Sequence, residues 1–419
     1  MSLTLIFFNF TFGNHQRRLG KLDTQTWDRH YLLGSNASPY EDGKDIPSFS
    51  AVGALISNDG ILGTATLISS DMVITAAHVL KNRTKDPIPD KNDWEFILYH
   101  DFDKAPQGFR YSINRFFIHP NWIIRQEQHP PFGDGDRTGY DIALAKLDQK
   151  IVGVKPLSLP NDSYLRINQK VFVAGFGNLV EGGSGFQNFQ NSRRMAGENR
   201  VDRIVENALS DGLQESLSGG LLAFDFDSPY NVHNSLGQGA SSFENLPEGN
   251  SDHEPLEFEV STAEGDSGAP LISYEDGIWQ IFGTVSYGSS DSTYGDITVC
   301  TRLKNHIPWI SENISAWPGT MIVNDSGWRE SQWLGHFFNF NSGWNFHETL
   351  GWFWSLPKNE NSVWAFFDHS GWLWTSRDNF PFFYSEKQQN WFFIDLSITD
   401  LTGWFLYEFS VEQWKHLKF

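Results

Sequence analysis

Cysteine is almost absent from this sequence, because Cys300 is the only one in 419 residues. A single thiol excludes an intrachain disulfide and a zinc site built from several cysteines, and it leaves the cellular compartment open. Basic residues are also few, with 31 Lys and Arg against 51 Asp and Glu and a net charge of −20. Nucleic acids and anionic membranes attract basic patches, so this charge argues against both as partners.

Long hydrophobic runs are missing as well. No apolar stretch reaches the roughly 18 residues that a transmembrane helix needs. The apolar run within residues 1–13 has no basic residue before it and no obvious small-residue cleavage site after it, so it is a poor match to a signal peptide. We therefore expect residues 1–27 to be a leader or an N-terminal extension and the chain to have no transmembrane segment. The length of 419 residues favours two domains.

Helical periodicity is scarce, and short apolar runs separated by Gly, Asn, Asp and Pro dominate from about residue 28 onward. Val, Ile, Phe and Thr are frequent in these runs, which is typical of β-strands. The best helix candidate covers residues 303–314. The pattern predicts an all-β protein, built as a barrel or a sandwich. The predicted strands lie at residues 50–57, 63–69, 72–75, 94–99, 140–147, 171–177, 278–288 and 297–303.

A serine stands between two glycines in the stretch from Glu264 to Pro270. Such a stretch disfavours a helix or a central strand and predicts a tight loop. A serine hydroxyl is a weak nucleophile, which needs a neighbouring base and amide donors for the oxyanion that forms on attack. The amides of Gly265 and Ser267 are candidates for these donors, because Gly265 has no side chain to block its own N–H. Taken alone, the same residues are equally typical of a surface turn.

Four other residues are candidates from their chemistry alone. His78 follows small residues at 75–77 that leave room around its ring, although a lone histidine is more often structural. Asp141 stands at the mouth of an apolar strand, where a buried carboxylate needs a partner such as a histidine. Asp225 and Asp227 form an acidic pair that suits a cation, but a solvated acidic turn is the more common structure for such a pair.

Three segments together resemble the signature segments of the chymotrypsin/trypsin-like serine proteases, in that family's order: Thr75-Ala-Ala-His78, Asp141-Ile-Ala-Leu144 and Gly265-Asp-Ser-Gly268. The order excludes an α/β-hydrolase, in which the serine comes first and the histidine last. The resemblance implies an all-β fold of two six-stranded β-barrels with the active site between them. The missing cysteines and the long loop-rich segment 181–256 look most like bacterial members of the family.

The resemblance also implies a catalytic role for each of these residues. His78 would act as general base and then as general acid, Asp141 would orient the histidine, and Ser267 would attack the scissile carbonyl. The amides of Gly265 and Ser267 would form the oxyanion hole. The chemistry implies no metal and no cofactor.

Four further positions match substrate-binding residues of the family. Ser261 corresponds to the base of the primary pocket, where an aspartate would select Lys or Arg, and Thr298 would narrow that pocket. Ser286 would support the catalytic aspartate and, with Gly288, would offer an edge strand to the substrate backbone. We therefore expect cleavage after an apolar or small residue and no specificity for Arg or Lys.

The sequence departs from the family pattern at several positions. Gly63 and Val79 replace two cysteines that many members pair, and Ala269 replaces a glycine. Many members are cleaved to free an Ile-Val-Gly-Gly terminus whose amine pairs with the aspartate before the nucleophile, here Asp266. Near the position where such a terminus would begin, this sequence has only residues 31–35. Cleavage at an unusual residue, another cation for Asp266 and no cleavage at all therefore stay open.

The C-terminal part of the sequence is rich in tryptophan, with eleven of the 17 at or after Trp328 and five Gly-Trp pairs. Similar blocks begin at Gly351 and Gly371, which predicts a small array of β-hairpin repeats over residues 326–419. The rings either form the core of a domain with little else to bury or bind sugar rings and cations on its surface, and both uses are compatible. The segment loosely resembles Gly-Trp-rich bacterial cell-wall-binding repeats, which implies a cell-wall or glycan ligand.

These observations predict a secreted or cell-surface serine endopeptidase at residues 28–318, with a C-terminal attachment module at residues 326–419. Its partner would be a protein or peptide substrate. Two other functions stay open: an inactive protease fold that serves as an adaptor, and a cell-wall or carbohydrate-binding protein whose protease domain only processes itself. The complete set of triad residues argues against the first, because inactive relatives usually lose at least one of them.

Overall fold

The chain falls into two units by its contacts, Met1–Ile307 and Pro308–Phe419. No helix among the described residues is long and apolar enough to cross a membrane. The computed structural model describes residues 17–19, 27–35, 46–81, 89–128, 133–160, 165–183, 191–208, 219–230, 232–238, 243, 246–289, 294–314, 320–323, 328–340, 343–359, 361–396 and 403–418.

The first unit is built mainly from β-strands. Its described strands are β1 (Arg17–Leu19), β2 (Val52–Ser57), β3 (Leu62–Ser69), β4 (Met72–Thr75), β5 (Trp94–Ile97), β6 (Arg110–Ile118), β7 (Ala143–Leu147), β8 (Lys170–Gly175), β9 (Leu179–Glu181), β10 (Met195–Arg200), β11 (Arg203–Val205), β12 (Leu221–Asp225), β13 (Val260–Ser261), β14 (Pro270–Glu275), β15 (Ile278–Gly288) and β16 (Ile297–Arg302). The described α-helices of the chain are α1 (Trp27–Gly34), α2 (Ala77–Leu80), α3 (Pro120–Gln128) and α4 (Ile307–Ile314).

Six strands close into an antiparallel barrel in the order β2-β3-β4-β7-β6-β5. Strands β3 and β4 are buried along nearly their whole length, which explains why their sequences are almost continuously apolar or small. This barrel confirms the first of the two barrels that the resemblance implies. Its buried side chains include Val52, Ala54, Leu55, Ala65, Leu67, Val73, Ile74, Phe96, Ile113, Leu144 and Leu147.

The second group of strands is a seven-stranded sheet in the order β10-β8-β14-β15-β16-β12-β11. Its two outermost strands, β10 and β11, are separated in the sequence only by residues 201 and 202. Two linking residues span at most about 11 Å. The edges of a flat seven-stranded sheet would lie roughly 29 Å apart. The sheet must therefore curl enough to bring its two edge strands close together, which agrees with the expected barrel-like second half and with the all-β class.

The strand β1 lies within residues 1–27, the stretch that we expect to be a leader or an extension. It pairs with β9 in parallel and with β13 in antiparallel orientation, which places Arg18 opposite both Val180 and Ser261. Tyr31, near the place expected for an activation terminus, instead lies in α1, and its hydroxyl is 2.7 Å from Nδ1 of His100. Residues 17–19 therefore belong to the sheets of the first unit.

The second unit is a meander of eleven strands that pair antiparallel in sequence order. This sheet confirms the predicted C-terminal β-structure. The strands are β17 (Thr320–Ile322), β18 (Trp328–Ser331), β19 (Gly335–Asn339), β20 (Trp344–His347), β21 (Gly351–Asn359), β22 (Ser362–Phe367), β23 (Gly371–Ser376), β24 (Phe382–Ser385), β25 (Asn390–Ile394), β26 (Gly403–Glu408) and β27 (Gln413–Lys418).

Alternate side chains of the meander are buried. Strand β22 shows the pattern most clearly, because Val363, Ala365 and Phe367 are buried while the residues between them are half-buried. The period of two places one set of rings in a core and the other set on the opposite face. The core side chains are Leu334, Phe337, Leu350, Phe353, Val363, Ala365, Phe367, Leu373, Phe383, Phe392, Ile394, Trp404 and Leu406.

Candidate active site

Paired strands of the first barrel bring His78 and Asp141 together. Strands β4 and β7 are antiparallel neighbours, with Thr75 opposite Ala143. His78 lies three residues after Thr75, in the one-turn helix α2, and Asp141 lies two residues before Ala143. Ser267 reaches the same place from the turn between β13 and β14.

A continuous path of hydrogen bonds joins these three side chains. Nδ1 of His78 lies 2.6 Å from Oδ2 of Asp141, and Nε2 of His78 lies 2.8 Å from Oγ of Ser267. The backbone amide of His78 donates to Oδ1 of Asp141 at 2.9 Å. With Nδ1 protonated, Nε2 is free to accept the proton of the Ser267 hydroxyl.

The Asp141 carboxylate is fully buried and held by further donors. The Ser286 hydroxyl donates to its Oδ2 at 2.5 Å, and the Thr301 hydroxyl donates to its backbone carbonyl at 3.0 Å. Burial disfavours the charge on His78, but the Asp141 carboxylate outweighs burial and raises the pKa of His78 to about 9. Burial likewise opposes ionisation of Asp141, yet His78 and the hydrogen bonds from His78 and Ser286 lower the pKa of Asp141 overall.

Hydrogen bonds to its backbone carbonyl groups hold the loop around Ser267. The amide of Asn178 donates to the Glu264 carbonyl at 2.9 Å, and the Thr64 amide donates to the Ser267 carbonyl at 2.8 Å. The Thr64 hydroxyl donates to the Gly265 carbonyl at 2.8 Å. Among the described residues, the amides of Gly265 and Ser267 have no acceptor. This arrangement suits an oxyanion hole, since both N–H groups stay available to a ligand.

Glycines make room for this loop. Gly265 has a φ of +98° and Gly268 a φ of +83°, values that favour glycine. A Cβ on Gly268 would lie 2.2 Å from Oγ1 of Thr75. The neighbouring Asp266 is buried and accepts hydrogen bonds from the amides of Gly177 at 2.9 Å and Ala263 at 3.0 Å.

Gly63 and Val79 stand where many family members have paired cysteines, and here they pack against each other. A Cβ on Gly63 would lie 2.6 Å from Cγ1 of Val79, so the valine side chain occupies the space beside the glycine. Val79, the residue after His78, is buried. The two replacements are therefore compatible with each other, as the sequence suggests.

Ser261 and Thr298, the residues expected at the base of the primary pocket, lie side by side. Their hydroxyl oxygens are 3.4 Å apart, and that of Thr298 is 3.0 Å from the hydroxyl oxygen of Thr262. A residue that the sequence analysis missed joins them, because the Ser261 hydroxyl also donates to Oδ2 of Asp296 at 3.1 Å. Asp296 is buried and accepts a second hydrogen bond from the Ser289 hydroxyl.

The segment from Ser286 to Gly288 forms the last part of β15. Strand β16 pairs with it, placing Gly288 opposite Thr298. On the other side, β14 pairs with β15 only as far as Thr284. Residues 286–288 therefore lie beyond the end of the β14–β15 pairing.

A second unpredicted carboxylate lies beside the histidine. Ligand atoms of His78, Asp136 and Asp141 all lie within 4.8 Å of one another. Among the described residues, this is the one set of three side chains that lie close enough together to hold a metal ion. Nδ1 of His78 and both carboxylate oxygens of Asp141 already take part in hydrogen bonds, which favours acid–base chemistry over metal binding.

Asp225 and Asp227 do not form the solvated turn that their sequence favours. Asp225 is fully buried and Asp227 nearly so. Burial and then the Asp225 carboxylate raise the pKa of Asp227 to about 8. Neither residue belongs to a converging set of metal ligands among the described residues. The buried pair therefore favours protonated carboxyl groups and not a cation site.

Comparisons with known proteins point to one class of enzyme. A family model described as Trypsin matches residues 42–204. Chymotrypsin-C of Mus musculus is 48% identical over 58 residues, which cover 13% of this chain and 22% of that protein. The chain thus matches about a fifth of the length of this relative. These matches support a trypsin-like serine protease, and the matched residues 42–204 include His78 and Asp141 but end before Ser267.

Proposed function

We propose that the first unit is a serine endopeptidase that hydrolyses peptide bonds through an acyl-enzyme. The observation that carries the proposal is the hydrogen-bonded path from Ser267 through His78 to Asp141. The imidazole is positioned to take the serine proton, and the buried carboxylate stabilises the imidazolium that results. The match of the trypsin model across His78 and Asp141 supports the same reaction.

In the acylation step, Oγ of Ser267 forms a bond to the scissile carbonyl carbon as its proton moves to Nε2 of His78. The carbonyl electron pair moves to oxygen, where the amides of Gly265 and Ser267 donate to it. When this intermediate collapses, the C–N bond breaks and His78 gives its proton to the leaving amine. The acyl group then remains on Ser267 as an ester.

In the deacylation step, water attacks the ester carbonyl and His78 takes one of its protons. The second tetrahedral intermediate expels Oγ of Ser267, which regains a proton from His78. The product is a carboxylic acid, and the enzyme returns to its starting state. No residue in this sequence of steps needs a metal or another cofactor.

Residues 286–288 are proposed to bind the substrate backbone. They form the end of β15, paired with β16 and beyond the last β14 pair at Thr284, a position that suits an extended peptide running alongside the strand. Within this arrangement Ser286 serves two purposes, because its hydroxyl also holds Asp141. The substrates are therefore protein segments that can adopt an extended conformation at the cleavage site.

We propose cleavage after an apolar or small residue. Ser261 carries no charge, and the Thr298 hydroxyl contacts both Ser261 and Thr262 across the base of the proposed pocket. Among the described residues at that base, the carboxylate of Asp296 favours a basic residue, and two serine hydroxyls already donate to it. Peptides that differ only in Ala, Leu or Lys before the cleaved bond test this choice. A preference for Lys that disappears in Asp296→Asn would replace it with basic specificity.

We propose that the second unit attaches the enzyme to a cell-wall or glycan surface. Several rings on the face opposite the core are 39–55% exposed, among them Trp344, Trp352 and Trp372. Rings on neighbouring strands lie in register on that face, with Trp354 between Trp344 and Phe366. Sugar rings stack on such aromatic surfaces. A secreted or cell-surface location, with a protease of the bacterial type, fits both the proposed endopeptidase activity and the proposed attachment.

The test of the proposed activity is labelling by a fluorophosphonate probe, compared between the purified chain and Ser267→Ala. Labelling that is lost in the variant is the expected result, because only an activated serine reacts at a useful rate. An N-terminally trimmed form is assayed in parallel, and labelling of that form alone would identify a zymogen. Absence of labelling in both forms would overturn the enzyme proposal and favour an adaptor whose working part is the aromatic unit.

A further inference from the structure

Asp136 lies in the segment between α3 and β7, and its carboxylate lies close to the His78 ring. One of its oxygens lies within 4.8 Å of a ring nitrogen of His78 and of a carboxylate oxygen of Asp141. Its Oδ1 accepts a hydrogen bond of 2.7 Å from the indole nitrogen of Trp122, which lies on α3 and is fully buried. The carboxylate is therefore aimed at the imidazole by a rigid partner.

The loop that carries Asp136 is braced against α3. Arg125 of that helix donates to both carboxylate oxygens of Asp134, through Nε at 2.7 Å and through a guanidinium nitrogen. A Cβ on Gly135 would lie 2.7 Å from the indole of Trp122, so only glycine allows the loop to approach so closely. Two anchors on one helix thus fix the loop on either side of Gly135, as expected for a group held in a defined place.

The charged groups around Asp136 determine what it does. Burial and the Asp141 carboxylate raise the pKa of Asp136 to about 7, while His78 and Arg137 lower it. Asp136 in turn raises the pKa of His78, after the larger effects of burial and Asp141. Arg125 and Asp134, which brace the same loop, are paired with each other. The ionised form of Asp136 is therefore the one that accompanies a protonated His78.

We propose that Asp136 is a positioning residue of the catalytic centre, a second carboxylate that stabilises the imidazolium of His78 as Ser267 is deprotonated. This inference rests on the proposed protease function. Only the form of the enzyme with a neutral His78 can accept the serine proton, and the positive charge appears on the ring as that proton is transferred. An anion beside the ring therefore lowers the barrier of the chemical step from this reactive form. Asp141 orients the ring through Nδ1, and Asp136 adds negative charge without replacing that hydrogen bond.

The test is the pH dependence of the fluorophosphonate labelling rate in Asp136→Asn. Asparagine keeps an oxygen acceptor for Trp122 and removes the charge, so a merely structural role would leave the profile unchanged. A unit charge at about 5 Å in surroundings between water and protein interior shifts a pKa by roughly one unit. Removing the anion destabilises the imidazolium, so the midpoint of the acid limb should fall by about one pH unit. The rate at the alkaline plateau should fall about three- to tenfold for the same reason.

Two further variants complete the experiment. Asp136→Glu keeps the charge and should restore much of the wild-type midpoint. Glu127→Gln removes one negative charge from an exposed position on α3 and should leave the profile unchanged. Thermal unfolding of all variants shows whether each is folded.

The outcomes separate the two proposals. A folded Asp136→Asn with the wild-type midpoint and plateau would overturn the role of Asp136 and leave the protease function intact. A shift of equal size in Glu127→Gln would also overturn it, because the effect would then be one of general charge. Failure of the wild type to label would count against the protease function itself, in full-length and trimmed forms alike.

Discussion

The Thr64 side chain links the serine loop to the neighbouring segment at Phe176. Its hydroxyl donates to the Gly265 carbonyl at 2.8 Å and accepts from the Phe176 amide at 3.2 Å, and the residue is fully buried. Thr64→Val keeps the shape of the side chain but leaves both backbone groups without this partner. Each buried group left unsatisfied costs about 1–3 kcal/mol, so for the two groups we expect a loss of about 2–6 kcal/mol in the free energy of unfolding.

The same substitution should affect catalysis as well as stability. The Gly265 carbonyl that Thr64 holds belongs to the same residue as the amide proposed to bind the oxyanion. Losing this hydrogen bond therefore lets the amide donor move. Losing one such donor entirely costs about 10²–10³ in kcat, and we expect about a tenfold loss for a loosened one. The Michaelis constant should change little, because the donor acts mainly in the transition state.

Thr66 provides a matched control two residues along the same strand. It is also fully buried, but its hydroxyl has no hydrogen-bond partner among the described residues. Thr66→Val should therefore be neutral or stabilising, since it removes an unsatisfied polar group. Thermal unfolding and peptide hydrolysis of both variants, with Thr64→Ser as the rescue, measure the difference. Equal destabilisation by the two valine substitutions would refute the reasoning.

Three other predictions concern separate parts of the molecule. The pKa of Asp227 is raised to about 8. The stability that its protonated carboxyl group contributes is therefore complete below about pH 4 and is lost as the pH rises through 8. Asp227→Asn should flatten the fall of the unfolding temperature between pH 5 and 9. Trp352, 55% exposed, and Phe353, 1% exposed, are neighbours on opposite faces of β21: Phe353→Ala should cost about 3–5 kcal/mol of stability, whereas Trp352→Ala should spare stability and weaken retention on insoluble polysaccharide. Ser286→Ala removes a donor to the buried Asp141 carboxylate and should lower kcat about three- to tenfold with the fold intact, as measured by peptide hydrolysis.

The residues proposed for catalysis could be picked out from the sequence because they stand in short local segments. His78, Asp141 and Ser267 each stand in a segment whose residue types restrict what it can do, and the structure places the three side chains in hydrogen-bond contact. Most of the barrel strands were also predictable, since their apolar runs are bounded by turn residues. The helix at residues 303–314 begins later than expected, at Ile307, because Leu303–His306 form a 3₁₀ turn first.

Contacts between distant segments were not predictable from the sequence. Asp136 and Asp296 look like ordinary loop acids, and only the folded chain brings them to His78 and Ser261. Thr64 shows the same limit, since nothing in its strand indicates which hydroxyl meets the serine loop. The strand at Arg17–Leu19 has no strand-like pattern and takes its conformation from pairing with β9 and β13.

The eleven-stranded meander has a consequence for how the unit folds and how its length can change. Each strand pairs with the strands just before and after it in the chain, so nearly all of its pairings are local, whereas the first barrel must bring β2 to β5. Local pairing favours rapid folding, because little chain entropy is lost before each contact forms. It also means that no closure condition sets the number of strands. Hairpins can be gained or lost at the end of the chain without breaking the pairings that remain, so the reach of the aromatic face is free to vary independently of the protease fold.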